Sequence, residues 1–319
     1  MAVSVVIPAY NAGPYIGDTL RAVLAQTRQD WEAIVVDDCS TDDTGAVVQP
    51  FAADPRIRYV RQPENLWVLR ARYRGTELAI HPRVMLLDAD DILRPDALEV
   101  LEAALDADPD AVCAYGDHIR VDRNGTPLTP PGGLKARLRR LKRPDPAPEG
   151  MIVTEFLERN YLVTPGLAVV RRDALLDTGG LETGVRAAED WACWTLLATA
   201  GTFVHVNRVT LEYRIVPSGI SMSGSIQIDN VIKTLDIVFN DARIRAMVPD
   251  KLRRTLYAKR KAHALRYAAS LCVNSNRWRA AFKPLLAAMR TVPLQAPSYA
   301  LSFLGVLVAH RLNRRAGPS

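Results

Sequence analysis

Over the first 125 residues, short apolar runs alternate with stretches in which apolar side chains recur every three to four positions. The segments at 3–8, 32–38, 57–61, 84–88 and 111–121 read as strands, and the continuous apolar run before Asp88 marks a strand buried on both faces. Between them, Tyr15, Ile16, Leu20, Val23 and Leu24 form one apolar helical stripe, and Pro95 with Asp96 opens another helical pattern. Strands and helices alternating at this interval predict an α/β fold, a mostly parallel sheet with helices on both faces. Beyond about residue 225 the pattern turns helical, with 251–273 and 277–291 mixing apolar and basic positions before Pro293 and Pro297 break it. An α-helical appendage at the C-terminus is expected there. Residues 299–308 are apolar but too few to span a bilayer, and Arg311, Arg314 and Arg315 follow at once. Such a tail suits a membrane interface, the first domain or a second subunit equally well.

Composition narrows the class. A chain of 319 residues with 48% apolar content supports one large domain or two smaller ones. The opening residues lack a basic leader and read as a strand, and Cys39, Cys113, Cys193 and Cys272 show neither disulfide-framework nor zinc spacing. Both point to a cytoplasmic protein. The net charge of +6 favours anionic company. Much of it lies in Lys135–Arg143, inside a Pro- and Gly-rich stretch from 123 to 150, which reads either as a solvated surface excursion or as an attraction to anionic lipid headgroups or a lipid-linked diphosphate. No interleaved aromatics or recognised module accompany the run, so nucleic acid is not expected.

The candidate chemistry sits where strands end. The fourth apolar run empties into Asp88, Ala89, Asp90 and Asp91, and in open α/β sheets ligands collect at the carboxyl ends of strands. Clustered carboxylates repel unless a cation joins them, and hard oxygen ligands suit Mg²⁺ or Mn²⁺ bridging a diphosphate. The competing explanation is a polar turn with acids at a helix start. The second strand likewise ends in Asp37 and Asp38, with Ser40 or Thr41 placed to cap the next helix. After the first strand, Pro8-Ala9-Tyr10-Asn11-Ala12-Gly13 is no G-x-G-x-x-G, and no Walker A occurs. Phosphate charge then falls to a metal and to arginines: Arg70, Arg72 and Arg74 precede the acidic strand, with Arg70 and Arg74 on one helical face and Arg70 favoured as the contact.

In order, these motifs resemble the family 2 glycosyltransferases with the GT-A fold, a Rossmann-like α/β architecture. Val3–Asn11 resembles the family's opening strand and nucleotide loop, Val36–Asp42 its V-D-D-x-S-x-D signature, and Leu87–Asp91 its D-x-D. Gly179-Gly180-Leu181-Glu182 and Glu189-Asp190-Trp191 resemble its G-G-F-D-E and E-D-W motifs, so the likeness covers roughly residues 3–215. The resemblance implies an inverting, non-processive, metal-dependent hexosyltransferase (EC 2.4) of bacterial type, taking one sugar from a nucleotide-diphosphate donor, a UDP-sugar being favoured. The acceptor would be a glycan or lipid-linked hydroxyl in surface polysaccharide synthesis, at the inner face of the cytoplasmic membrane with peripheral contact to anionic lipid. It implies donor binding by Pro8, Ala9, Tyr10, Asn11, Asp38, Arg70, Asp88 and Ala89. The Mn²⁺ or Mg²⁺ ligands would be Asp90 and Asp88, the general base Asp190, the acceptor side Glu189 and Trp191, and a further phosphate contact Arg214. The domains would be a donor half at 1–122, the basic excursion at 123–150, an acceptor half at 151–224 and the helical region at 225–319.

Departures qualify the match. In the family's N-x-G-x-x-x-A-R-N-x-G stretch, Trp67 stands for glycine and Tyr73 for asparagine, and Tyr213-Arg214-Ile215-Val216 lacks the usual histidine. The Gln-x-x-Arg-Trp motif of processive members is absent. A sugar-nucleotide nucleotidyltransferase, or a sugar-nucleotide-binding protein without turnover, are the alternatives.

Overall fold

The computed structural model describes residues 2–128, 147–216, 228–274 and 278–293. The basic run at 135–143 and the tail at 299–308 with its arginines lie outside the described residues. Packing divides the chain into two units, Met1–Gly184 with Glu189–Met222, and Val185–Ala188 with Ser223–Ser319.

The first unit is built on an eight-stranded sheet, counted over the described residues, in the order β3-β2-β1-β4-β7-β6-β8-β5. The strands are β1 (Val3–Ala9), β2 (Trp31–Asp37), β3 (Ile57–Arg61), β4 (Arg83–Leu86), β5 (Ile92–Leu93), β6 (Ala111–Val121), β7 (Ala168–Arg171) and β8 (Thr202–Arg214). The pairs among β3, β2, β1 and β4 are parallel, as is β6 with β8, whereas β7 runs antiparallel to β4 and β6, and β5 antiparallel to β8. Every position of β1 and β2 is buried, including Ser4 and Glu32, whose side chains hydrogen-bond to each other at 2.6 Å, Ser4 Oγ donating. The α/β class with flanking helices stands, and its mixed half is what the pattern does not announce. Strand β7 has four residues and β5 two, and β8 interleaves His205, Asn207 and Arg208 across register shifts against β6.

Helices α1 (Gly13–Leu24), α2 (Thr44–Val48), α3 (Val68–Leu78), α4 (Ala97–Ala107), α5 (Val153–Glu158), α6 (Arg172–Asp177) and α7 (Glu189–Leu197) surround the sheet. Helix α1 buries Ile16, Leu20 and Val23 of the predicted stripe, each such side chain contributing about 1.5–3 kcal/mol. Helix α3 approaches β1 closely at Gly75, where a Cβ would meet Val6 Cγ1 at 2.2 Å.

The second unit comprises α8 (Ile228–Asn240), α9 (Ala242–Met247), α10 (Asp250–Asn274) and α11 (Trp278–Thr291), with α10 and α11 within a residue of their predicted bounds. Alanines let these two helices pack tightly: Ala269, Val273, Ala281 and Leu285 form one cluster and Ala262, Leu265 and Ala288 another. The same unit holds the short segment Val185–Ala188, where the buried Thr234 hydroxyl donates to the Ala187 carbonyl at 2.7 Å. Among the described residues, no helix is long and apolar enough to cross a membrane.

Candidate active site

Strands β2, β1 and β4 run parallel, so the loops that leave them emerge at one edge of the sheet. The first two loops are laced together. Asn11 adopts a left-handed conformation (φ 50°), which asparagine tolerates better than most residues. Its N–H donates to Ser40 Oγ at 3.0 Å, and its Oδ1 accepts from Thr41 N–H at 2.8 Å. Ala12 N–H donates to Thr44 Oγ1 at 2.8 Å and Gly13 N–H to Asp42 Oδ2 at 3.1 Å. Ser40 and Thr41 thus bind Asn11 instead of capping α2, which begins only at Thr44 and whose first N–H donates to Asp42 Oδ1.

The paired acids after β2 have separate surroundings. Asp37 is fully buried and accepts from Ser40 N–H (2.8 Å), the Tyr59 hydroxyl and Arg61 (3.0 Å), a structural tie between β2 and β3. Asp38 accepts from Gln62 Nε2 (2.6 Å) and Leu66 N–H (2.8 Å), both through Oδ1, which leaves Oδ2 able to accept from a bound molecule. Tyr10 stands half exposed at the end of β1, beyond the buried Ala9 and Pro8.

After β4, the buried Thr19 hydroxyl of α1 donates to the carbonyls of Ala89 and Asp91, both at 2.9 Å, and so pins the acidic turn. Asp91 is fully buried and accepts from Thr164 Oγ1 (2.6 Å) and the Arg214 N–H (3.1 Å); burial and the neighbouring Asp88 and Asp90 hold its carboxyl well above the usual range. It is a strut beneath the turn. Asp88 accepts from Arg72 at 2.7 Å and from Thr164 Oγ1 at 3.4 Å. Asp90 is pushed up to about 6 by burial and by Asp88, with the Arg214 charge offsetting this only in part. Among the described residues, no group of three or more His, Cys, Asp or Glu side chains is placed to hold a metal by itself. The Asp88 and Asp90 pair, with charge left to neutralise, fits a hard divalent cation that fills its shell from phosphate oxygens and water.

Helix α7 begins at Glu189, after Ala188 in the left-handed region (φ 54°). Arg72 lies in the buried stripe of α3 with Leu69 and Thr76, and its guanidinium joins two sides of the site: Asp88 at 2.7 Å and Glu189 at 3.9 Å. Asp190 accepts from Asn160 Nδ2 at 3.1 Å and Trp191 N–H at 2.7 Å. Burial, then Glu189, pushes its carboxyl up to about 6, near the working range of a general base at neutral pH.

Two expected side chains fall differently, and a third, Arg214, sits beside the acidic turn. Trp191, expected on the acceptor side, is buried with its Nε1 donating to the Phe156 carbonyl at 2.6 Å, because α7 is buried at every position from Trp191 to Leu197 and has no face left to present. Arg70, expected at phosphate, lies exposed with its guanidinium 5.2 Å from the Tyr73 ring, and the arginine facing the acids is Arg72. Arg214 is buried, pairs with Asp18 at 3.0 Å and rests 5.3 Å from the Tyr15 ring. Sequence reasoning missed Thr19, Gln62, Asn160 and Thr164. For Arg72 a signal existed: an arginine on the apolar stripe of an amphipathic helix is buried only with a charge partner.

The sequence profile of the family described as "Glycosyl transferase family 2" matches residues 4–176. The putative teichuronic acid biosynthesis glycosyltransferase TuaG of Bacillus subtilis is 33% identical over 224 residues, 69% of this chain and 81% of that protein. The uncharacterized protein y4gI of Sinorhizobium fredii is 39% identical over 127 residues, but this chain spans only 14% of its length. Among solved structures, S. aureus TarS 1–349 in complex with UDP-GlcNAc superposes with a TM-score of 0.64 at 16% identity, covering 98% of this chain and 92% of that one. The mannosyltransferase PcManGT of Pyrobaculum calidifontis, in complex with GDP-Man and Mn²⁺, gives 0.57 at 19% identity, covering 97% and 86%. At these identities the likeness shows the fold, GT-A.

Proposed function

The chain belongs to glycosyl transferase family 2, and from that premise we propose that it is an inverting, non-processive enzyme moving one sugar from a nucleotide-diphosphate donor to a glycan or lipid-linked hydroxyl. The observation that carries the reading is the Arg72 bridge, one buried guanidinium between Asp88 of the donor half (1–122) and Glu189, neighbour of Asp190, of the acceptor half (151–224). Asp190 takes the proton of the acceptor hydroxyl, whose oxygen bonds to the anomeric carbon as the bond to the diphosphate breaks and the nucleoside diphosphate leaves with the electron pair. Asp190 is suited to this because its carboxyl is raised to about 6 yet ionised at neutral pH. Asp38 Oδ2 is available to a base donor, and Asp88 and Asp90 would hold Mn²⁺ or Mg²⁺, which when bound neutralises the departing diphosphate. Arg72, by pairing with Asp88 and Glu189, holds both carboxylates in position.

The UDP-GlcNAc and GDP-Man complexes of the two structural neighbours support a nucleotide-sugar donor, with a UDP-sugar preferred here. The teichuronic acid relative supports a role in bacterial surface polysaccharide synthesis. For such a role we infer a place in the cytoplasm, at the inner membrane face and in contact with anionic lipid. The test is nucleoside diphosphate release from a panel of nucleotide sugars with Mn²⁺ or Mg²⁺, beside Asp90→Asn and Asp190→Asn. Donor-specific, metal-dependent release lost in both variants is expected. Release of pyrophosphate, or donor binding unchanged in both variants with no turnover in any acceptor mixture, would sink the reading.

A further inference from the structure

All 35 acidic residues of the chain fall within its first 250 positions, whereas residues 251–319 contain fourteen Lys and Arg and no Asp or Glu. At the start of α10, Asp250 engages Arg253 (2.5 Å) and Arg254 (2.7 Å); beyond it neither α10 nor α11 contains an acidic residue. Helix α11 combines that charge with apolar surface. Its inner side, Ala281, Leu285 and Ala288, is buried in the core of its own unit. Its outer side presents Phe282 (46% exposed) and Leu286 (49%) one turn apart, with Lys283 and Arg290 exposed beside them. On α10, Lys259 and the half-exposed Tyr267 add to the same character. A large aromatic and a leucine stacked at i,i+4 between cations is the arrangement of a helix lying in a lipid headgroup layer. Its apolar side chains enter the acyl boundary, and the long basic stems carry their charge to the phosphates.

We propose that the outer face of α11, formed by Phe282, Lys283, Leu286 and Arg290, docks on an anionic phospholipid bilayer. Charge selects this occupant: a second copy would set the same acid-free surface against itself, and polyanions without an acyl layer leave Leu286 without a use. The proposal deepens the membrane contact in the functional reading above and rests on it only for purpose. Binding to lipid needs neither donor nor turnover, so the two ideas fail separately.

The probe is the full chain mixed with vesicles of phosphatidylcholine alone, or of phosphatidylcholine with phosphatidylglycerol, followed by sedimentation. Binding to the anionic vesicles only, weakening as salt rises, is expected. The double variants Lys283→Glu/Arg290→Glu and Phe282→Ser/Leu286→Ser each lower the partition coefficient by on the order of tenfold, while Arg21→Glu, exposed in the first unit, leaves it unchanged. Unaltered far-ultraviolet dichroism in the variants separates loss of contact from loss of fold. Equal binding to neutral vesicles, or unchanged partition in either double variant, overturns the proposal. So does a change in the sedimentation coefficient of the lipid-free protein on charge reversal, which would identify a self-association face. Preferential capture of duplex RNA over vesicles assigns the face to nucleic acid and overturns it equally.

Discussion

Arg72 is the residue on which most of the site depends. Removing a buried guanidinium leaves Asp88 and Glu189 uncompensated, so Arg72→Ala is expected to cost about 3–5 kcal/mol in urea denaturation and to abolish turnover. Arg72→Lys keeps the charge but not the planar fork, and should retain the fold better than the alanine variant while remaining poorly active. Asp190 works against stability instead. Its carboxyl is raised in the folded state, so the folded protein retains a proton that the unfolded chain releases between about pH 4 and 6. Stability from this group is therefore present at low pH and lost as pH rises through about 6. Asp190→Asn should be more stable than the parent above pH 7 by about 2 kcal/mol, the shift less one lost hydrogen bond, with the gap closing near pH 4. The parent's kcat should rise through pH 6 and then level. At Trp67 the backbone (φ 74°, ψ 158°) lies in a region that glycine alone enters without strain, at the position where the family has glycine. Trp67→Gly should raise stability by about 1 kcal/mol, the released strain less the added chain entropy, whereas Trp67→Ala should not.

Among the elements, α3 shows how placement depends on a missing side chain. Gly75 lets it rest against Val6, and Gly75→Ala sets a Cβ where 2.2 Å separates it from Val6 Cγ1. That overpacking should cost about 1–3 kcal/mol in thermal unfolding and lower turnover as well, since any shift of α3 carries Arg72 away from Asp88. The long elements are legible in the amino-acid pattern itself: β1, β2, β3 and β6, the stripe of α1, and α10 and α11 declare themselves by predominantly apolar stretches or regular spacing. Strands β5, β7 and β8 are not, because they are too short or too interrupted by polar residues and bulges for periodicity to register. At the site, the carboxylates Asp88, Asp90 and Asp190 can be named from motifs. Their hydrogen-bond partners Thr19, Asn160 and Thr164 come from loops and helices brought together only by tertiary packing, which no local pattern encodes.

Across the whole molecule, the two packing units do not coincide with two continuous stretches of chain. Residues 185–188 group with the C-terminal helices, and Thr234 of α8 holds the Ala187 carbonyl three residues before Asp190. Thr234→Val is isosteric and removes that donor, so it should reduce kcat several-fold with little change in donor KM or melting temperature, as steady-state kinetics beside a thermal scan would register. Lowered melting with unchanged kcat would reduce Thr234 to a packing role. The interleaving also constrains how such a chain can be inherited. A crossover between relatives near residue 223 would exchange the helices but leave 185–188 behind with the old partner, so a hybrid would match only where both segments descend from one parent. The C-terminal helices therefore cannot be traded as an independent cassette, and this part of the chain should evolve in step with the four residues that precede the E-D-W motif.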